Sequence, residues 1–464
     1  MSVAAADDGG PRTNTTSLTH RAVLAIAVPI VISNVSTPLI GIVNTAIVGR
    51  IPSPVYIGAV AVGALIFTFA FWGFGFLRMG TTGLTAQAFG AADNDELAAG
   101  LGRALLLAAT AGVGLILLQW PIRECAFALV GASPEVERVA RGYFNVRIWS
   151  GPATLANYAL LGWFIGLGRT NIGLVLQLVL NLTNVVLDAA FVLGFGWGVP
   201  GVALGTVLAE YLAAAVGIII ALKYVRRFGG HWSLQRMLSR EQLRRAFLVN
   251  SDIMVRSLAL LAAFGWFLAQ GARQGNAILA GNSILMQFIE VCAFFLDGFA
   301  FAAEALVGRA VGAAQRMGLT AAVRITTIWA AAIAVLLTLV LFAFGHSFID
   351  GLTVDPTARA AARAYLPWAA AVPLLGIWAF QLDGIFIGAT RTADMRNAML
   401  LSLAIFLLAW RLLVPFGNSG LWAAFYVHYV ARAGSLLYFY PALVRSVGGP
   451  VPPSRLLSAG QPPH

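Results

Sequence analysis

Phe164-Ile165-Gly166-Leu167-Gly168-Arg169-Thr170 recurs 222 residues later as Phe386-Ile387-Gly388-Ala389-Thr390-Arg391-Thr392, with five of seven letters kept. The same offset sets Ala88, Gly90, Ala91 and Ala92 on Ala310, Gly312, Ala313 and Ala314, and Gly49 on Gly271. A three-residue slip sets Gly198 and Gly201 on Gly417 and Gly420. The repeated unit is a bundle of hydrophobic helices. A duplicated membrane bundle with a cleft between its halves is the architecture of a transporter.

Composition agrees. The 464 residues are 59% hydrophobic and 11% charged, against roughly 25% charged in soluble domains. The apolar runs are long enough for spanning helices and lack the alternation of barrel strands. The 49 glycines suit close helix packing in lipid. Cys125 and Cys292 are read as two unpaired thiols. Met1 to Ser17 is polar and lacks the basic-then-apolar build of a signal peptide, so the first span is expected to direct insertion. The net charge of +11 sits mostly in short loops between spans, where it orients the chain, and nucleic acid is not an expected partner.

Twelve spans are predicted, at about 22–48, 55–79, 97–121, 143–167, 171–195, 199–222, 246–270, 277–303, 321–345, 363–388, 397–416 and 420–443. The fold class is therefore an all-α integral membrane protein of two six-helix lobes. The expected divisions are an N-terminal tail 1–21, an N-lobe 22–222, a basic linker 223–245, a C-lobe 246–443 and a tail 444–464. The linker carries Lys223, Arg226, Arg227, Arg236, Arg240, Arg244 and Arg245, which predicts a cytoplasmic linker and cytoplasmic termini. Six spans per half, an even number, make the repeat parallel, with its axis along the membrane normal.

Ionisable residues within spans each need a reason. The fifth span holds Asn181, Asn184 and Asp188; the last two are one turn apart on one face. Thr206 on the sixth span and Asn44 on the first reach a similar depth. Amides and hydroxyls also serve as hydrogen-bonding glue between helices, the preferred reading for Asn181. Glue does not require a carboxyl group, which marks Asp188 as the candidate for a proton- or Na⁺-coupled switch. In the C-lobe, Asp252 and Arg256 are placed one turn apart to pair. Asp297 and Asp383 lie in the predicted inner half, and Glu290, Asp297 and Glu304 form one stripe. An Arg256-centred structural ion pair and cation coupling stand level as readings of this group. Pro29 removes a backbone hydrogen bond from the first span and predicts a bend, either a hinge or a static kink. The aromatic second span, Phe67 to Phe76, is read as packing or lipid contact. Glu210, Arg147, Arg411 and His428 are polar residues without an evident place. No phosphate-binding loop, paired metal-ligand spacing or catalytic grouping is visible, and Gly166-Leu167-Gly168 reads as a turn.

The chain resembles the multidrug and toxic compound extrusion (MATE) transporters, and within them the DinF-like branch. The resemblance rests on Val28-Pro29, Gly41 to Gly49, Ser53 to Gly58, Leu77 to Ala91, Leu296-Asp297-Gly298-Phe299-Ala300 and Leu382-Asp383-Gly384 through Arg391, and it covers about Leu18 to Leu443. It implies an antiporter exporting amphipathic, often cationic compounds in exchange for H⁺ or Na⁺. It carries a helix-5 aspartate and the asparagine one turn before it onto Asp188 and Asn184, a threonine onto Thr206, a proline onto Pro29, an asparagine onto Asn157 and a cation-coupling aspartate onto Asp383. One departure matters: the family usually reads Val-Asp-Thr where this chain has Val43-Asn44-Thr45, and asparagine does not titrate.

The expected function is thus a secondary active drug or metabolite exporter, not an enzyme. It needs no cofactor beyond the coupling ion, with Na⁺ placed at Asp188 or Asp383 if Na⁺ is used. Its expected partners are a small-molecule substrate and the lipid bilayer, and its expected state is a monomer in an inner membrane. The alternatives are a flippase for lipid-linked precursors and, from another class, a membrane-embedded enzyme or sensor. A flippase would favour a basic central cavity, and no intramembrane arginine cluster is evident along the sequence.

Overall fold

The computed structural model describes residues 18–50 and 54–448, without the side chains of 37–40, 42, 44, 45, 48 and 54. Described residues form helices and no strand: α1 (His20–Val48), α2 (Pro54–Trp72), α3 (Phe76–Gly90), α4 (Asn94–Leu117), α5 (Gln119–Val130), α6 (Pro134–Arg147), α7 (Gly151–Gly166), α8 (Thr170–Ala189) and α9 (Gly198–Arg227) make the first half. A short α10 (Leu234–Met237) precedes α11 (Arg240–Arg273), α12 (Asn276–Gly312), α13 (Arg316–Leu352), α14 (Pro356–Gly388), α15 (Thr392–Leu413) and α16 (Gly417–Ser446).

Nine stretches among the described residues are long and apolar enough to cross a bilayer. One of them, Thr392–Ser446, contains both α15 and α16; α1 and the α6–α7 run bring the layout to twelve spans in two lobes. Several helices outrun their predicted ends. The second span breaks at Gly73–Gly75 and continues to Gly90, α12 runs to Gly312, and α13 covers Arg316–Leu352. The apolar window marks the slab of hydrocarbon, whereas a helix continues into the polar layer wherever its backbone bonds are kept within the segment. For the same reason α9 and α11 absorb six of the seven basic residues of the linker, and the seventh docks on α4: Arg236 Nη1 lies 3.0 Å from Asp93 Oδ1, and Arg103 donates to the Arg236 carbonyl at 2.9 Å.

The 222-residue repeat is a repeat of contacts. A Cβ built on Gly162 would meet the Arg78 carbonyl oxygen at 2.3 Å, and one on Gly384 would meet that of Ala300 at 2.3 Å. A Cβ on Gly166 would meet the Thr82 carbonyl oxygen at 2.7 Å, and one on Gly388 would meet that of Glu304 at 2.4 Å. Each pair is the other shifted by the same offset, so α7 seats on α3 as α14 seats on α12. Turns repeat too. Ala92 and Ala314 take φ of 55° and 53°, and Gly168 and Thr390 take 63° and 52°, a strained conformation for a β-branched residue.

The two halves meet at the end that carries the linker. There α3 is inserted between α11, α12 and α14 of the other lobe. Gly90 would clash with the Arg309 carbonyl at 2.1 Å and Gly312 with that of Gln87 at 2.0 Å, a reciprocal contact across the repeat axis. Gln87 Nε2 donates to Gly388 O and Thr390 Oγ1, both at 3.0 Å, and Gln87 Oε1 accepts from Arg245 at 2.7 Å. An apolar cluster continues the seam, with Val23, Ile26, Ala27 and Ile30 of α1 against Leu296, Phe299 and Ala303 of α12. Toward the other end α2 packs on α6 and α9 of its own lobe.

Candidate functional site

Asp188 is fully buried on α8. The i, i+4 spacing brings Asn184 onto its face, and α9 returns antiparallel to supply Thr206. Asn184 Nδ2 donates to Asp188 Oδ1 at 3.2 Å and to Thr206 Oγ1 at 3.1 Å, while Thr206 donates to the Val202 carbonyl at 3.0 Å. Asp188 Oδ2 has no hydrogen-bond partner among the described residues. The site is compact because Gly205 lacks a side chain: a Cβ there would lie 2.1 Å from Asp188 Oδ1. Directly after it the helix passes into a π turn, Ala190–Gly194, a local widening frequent near functional residues.

The other N-lobe residues fall into separate groups. Asn181 ties α8 to α1 by donating to Ser36 Oγ at 3.1 Å and accepts from Gln177 at 2.8 Å. That placement fits helix glue. Asn157 on α7 donates to Glu210 Oε2 at 2.7 Å and to the Glu210 carbonyl at 3.0 Å. Arg147 approaches the other Glu210 oxygen at 3.5 Å, which places two residues the sequence left unassigned. Asn44 lies on the backbone of α1, and its side chain is outside the described residues. Pro29 is buried within an unbroken α1. It has no N–H for the Ala25 carbonyl, which accepts from Thr170 Oγ1 instead, at 3.3 Å. Beside this point a cavity of about 250 Å³ opens between α1, α7, α8 and α12, lined by Ser33, Asn34, Thr170, Gly173 and Phe301 among others. A larger cavity of about 400 Å³ lies at the linker end between α3, α4 and α11; none of the predicted site residues lines it.

In the C-lobe the expected Asp252–Arg256 pair is absent. Asp252 is bound by Arg396 at 2.5 Å and by Thr392 Oγ1 at 3.0 Å, both from α15. Arg256 and Arg432 both donate to Asp383 Oδ2. The i, i+4 spacing puts Asp252 and Arg256 on one face, but each has a closer partner on a neighbouring helix, and a guanidinium reaches across as readily as along. The predicted acidic stripe also divides: Glu290 is exposed, Asp297 half-buried and Glu304 buried. Glu304 pairs with Arg78 of α3 at 3.3 Å across the lobe boundary, and Arg78 also lies 3.7 Å from the Phe301 ring centre. Arg256 Nη1 also lies 3.9 Å from the sulfur of Met79, the residue that follows Arg78. The absence of an intramembrane arginine cluster, read along the chain, is therefore corrected: Arg78, Arg256 and Arg432 converge here from three helices. Arg432 was missed although an arginine in the apolar run of α16 is itself the signal. Among the described residues no three His, Cys, Asp or Glu side chains group as a metal site, and Cys125 and Cys292 are free thiols.

The MatE family model matches residues 29–190 and 257–410, one block in each lobe. The chain belongs to the MATE family. It is similar to DNA damage-inducible protein F of Escherichia coli (strain K12), with 40% identity over 416 residues covering 90% of this chain and 91% of that protein. It is also similar to the probable multidrug resistance protein NorM of Rhizobium meliloti (strain 1021), with 27% identity over 92% of this chain and 95% of that one. Its fold matches that of an outward-facing multidrug resistance MATE family transporter, with TM-score 0.83 and 18% identity over 92% of this chain and 96% of the other. This MATE protein is accordingly a multi-pass membrane transporter of the multidrug and toxic-compound efflux class, on the DinF-like branch.

Proposed function

We propose that this MATE protein is a secondary antiporter of the inner membrane, with cytoplasmic termini. It exports amphipathic, cationic small molecules in exchange for H⁺ or Na⁺, with Asp188 as the coupling carboxylate. One observation carries the assignment: Asp188 is a buried carboxylate beside an amide and a hydroxyl, with one oxygen that has no partner among the described residues. A buried anion with spare acceptor capacity is a place for a proton or a small cation. Asp383 is the weaker candidate, because two guanidiniums already occupy its Oδ2 and oppose a third positive charge. Two lobes packed together at the linker end support alternating access by rocking of one lobe on the other.

The test is efflux from proteoliposomes with imposed pH or Na⁺ gradients. Asp188→Asn should abolish gradient-driven efflux, and the gradient that drives the wild type names the ion. Intact gradient-driven efflux by the variant would remove Asp188 from the mechanism.

The arginines at Asp383 and Glu304 favour a second reading, an anionic cargo such as a lipid-linked phosphate. Each of those guanidiniums already has a carboxylate partner, which keeps the export of cations first. Flipping of a lipid-linked pyrophosphate by the purified protein would reverse the order.

A further inference from the structure

The repeated heptads, Phe164–Thr170 and Phe386–Thr392, span the ends of α7 and α14 and the turns that follow them. Each turn is held by a side chain from the opposite lobe. Gln87, near the end of α3, donates through Nε2 to the Gly388 carbonyl and to Thr390 Oγ1, each at 3.0 Å. Arg309, near the end of α12, donates through Nη2 to the Leu167 carbonyl. Gln87 and Arg309 are themselves separated by the 222-residue offset of the repeat. The two contacts are thus one contact made twice, once in each direction across the lobe boundary. Carbonyls that end a helix have no donor within it and carry the negative end of its dipole, so an amide N–H and a guanidinium suit them.

The two hooks are steadied differently. The Gln87 amide is oriented from both sides, because Oε1 accepts from Arg245 at 2.7 Å while Nε2 faces a carbonyl. Arg245 lies on α11, whose first turns carry the end of the basic linker, so this hook is tied to the linker. Arg309 instead lies 4.6 Å from the ring centre of Phe89 on α3, which supports its charge. The receiving turns differ as well. Position 168 is a glycine, which takes its φ of 63° freely, whereas position 390 is a threonine held at 52°. The hydroxyl of that strained residue is the one that accepts from Gln87. We infer that Gln87 and Arg309 are paired gating residues, which hold the linker end shut by clasping the repeated turn of the opposite lobe. Hydrogen-bonding glue would fasten helices within a lobe, whereas these bonds cross the boundary that rocking opens. They lie beside the backbone approaches of Gly90 to Arg309 and Gly312 to Gln87, so all of these contacts release together. This inference deepens the alternating-access reading and rests on it.

The experiment follows hydrogen–deuterium exchange of the purified protein at residues 165–170 and 387–392, beside gradient-driven efflux from proteoliposomes. The proteins compared are wild type, Gln87→Leu, Arg309→Met and Thr390→Gly. Loss of either hook should raise exchange in both turns, including the turn it never touched, by about five-fold, the population shift set by one hydrogen bond of ordinary net worth. Efflux should fall with it, because a state shut at the linker end has to form in every cycle. Thr390→Gly should give a smaller rise, since Gln87 keeps the Gly388 carbonyl, together with an equal or higher melting temperature, since the backbone is relieved. A rise confined to the turn whose own bond was cut, or a lowered melting temperature with the far turn unchanged, would reduce both bonds to local fastenings and overturn the inference. If neither Gln87→Leu nor Arg309→Met is recovered folded, Thr390→Gly decides alone: raised exchange at 165–170 supports the gate, and unchanged exchange there overturns it. If the wild type shows no gradient-driven efflux, the antiport reading falls, while exchange in the two turns still decides the hooks.

Discussion

Asp188 and Asp383 are both buried aspartates in spanning helices, yet their surroundings assign them different work. Asp383 anchors Arg256 and Arg432. Asp383→Asn would leave two buried guanidiniums without their anion, and breaking a buried pair from one side costs about 3–5 kcal/mol. A clearly lowered melting temperature in detergent is expected for it, with an unchanged or raised one for Asp188→Asn. Gly205 offers a finer probe. An alanine methyl there would lie 2.1 Å from Asp188 Oδ1, so Gly205→Ala should push the carboxylate off Asn184 and uncouple efflux while the protein still elutes as a folded species. The sequence made Asp188, Asn184 and Thr206 legible because helical spacing and antiparallel return fix which residues share a face and a depth. It did not make the partners of Asp252 and Arg256 legible, because a long side chain chooses among neighbouring helices whose rotations no periodicity specifies.

In α1 the proline and the donor that makes good its missing N–H come from different helices. Pro29 leaves the Ala25 carbonyl without its backbone donor, and Thr170 supplies one. Thr170→Val should cost about 1 kcal/mol or more of stability, the range for a carbonyl left unsatisfied. Pro29→Ala restores the N–H, so the double variant should recover that loss; a thermal-melt cycle over the four proteins checks it. The short α5 and the start of α6 are held differently, by Arg141 bridging Glu124 at 2.7 Å and Glu137 at 2.9 Å. Hydrogen bonds from Arg141 pull the Glu124 carboxyl down to about 2. A carboxyl lower in the folded than in the unfolded state contributes stability that is present above its ordinary value, near pH 4, and lost as pH falls toward 2. Arg141→Ala should flatten the acid limb of a stability–pH curve over that window. Span existence followed from apolar length, but span ends did not: α3, α12 and α13 continue past the apolar window because helical hydrogen bonds do not require apolar side chains.

The lobes close on glycine. Gly90 and Gly312 occupy equivalent positions in the repeat, and each admits a carbonyl of the other lobe where a methyl group would stand about 2 Å from oxygen. Gly90→Ala and Gly312→Ala should therefore act alike, wedging the linker end apart and shifting the population toward conformers open there. Cysteine labelling at that end should rise in both variants, and equal labelling to wild type would count against the seal. The sequence by itself determined the all-helical membrane class, the duplicated bundle and the buried acid on α8, because hydrophobic length, a repeated letter string and helical spacing are local properties of the chain. Only the tertiary structure decided that Asp383 is held by two arginines, that Glu304 reaches Arg78 across the lobes and that Arg147 reaches Glu210. Those outcomes depend on how helices rotate and slide against one another, and in a low-dielectric interior the geometry of a few ångströms decides which charges neutralise each other and which carboxylate keeps a vacant oxygen.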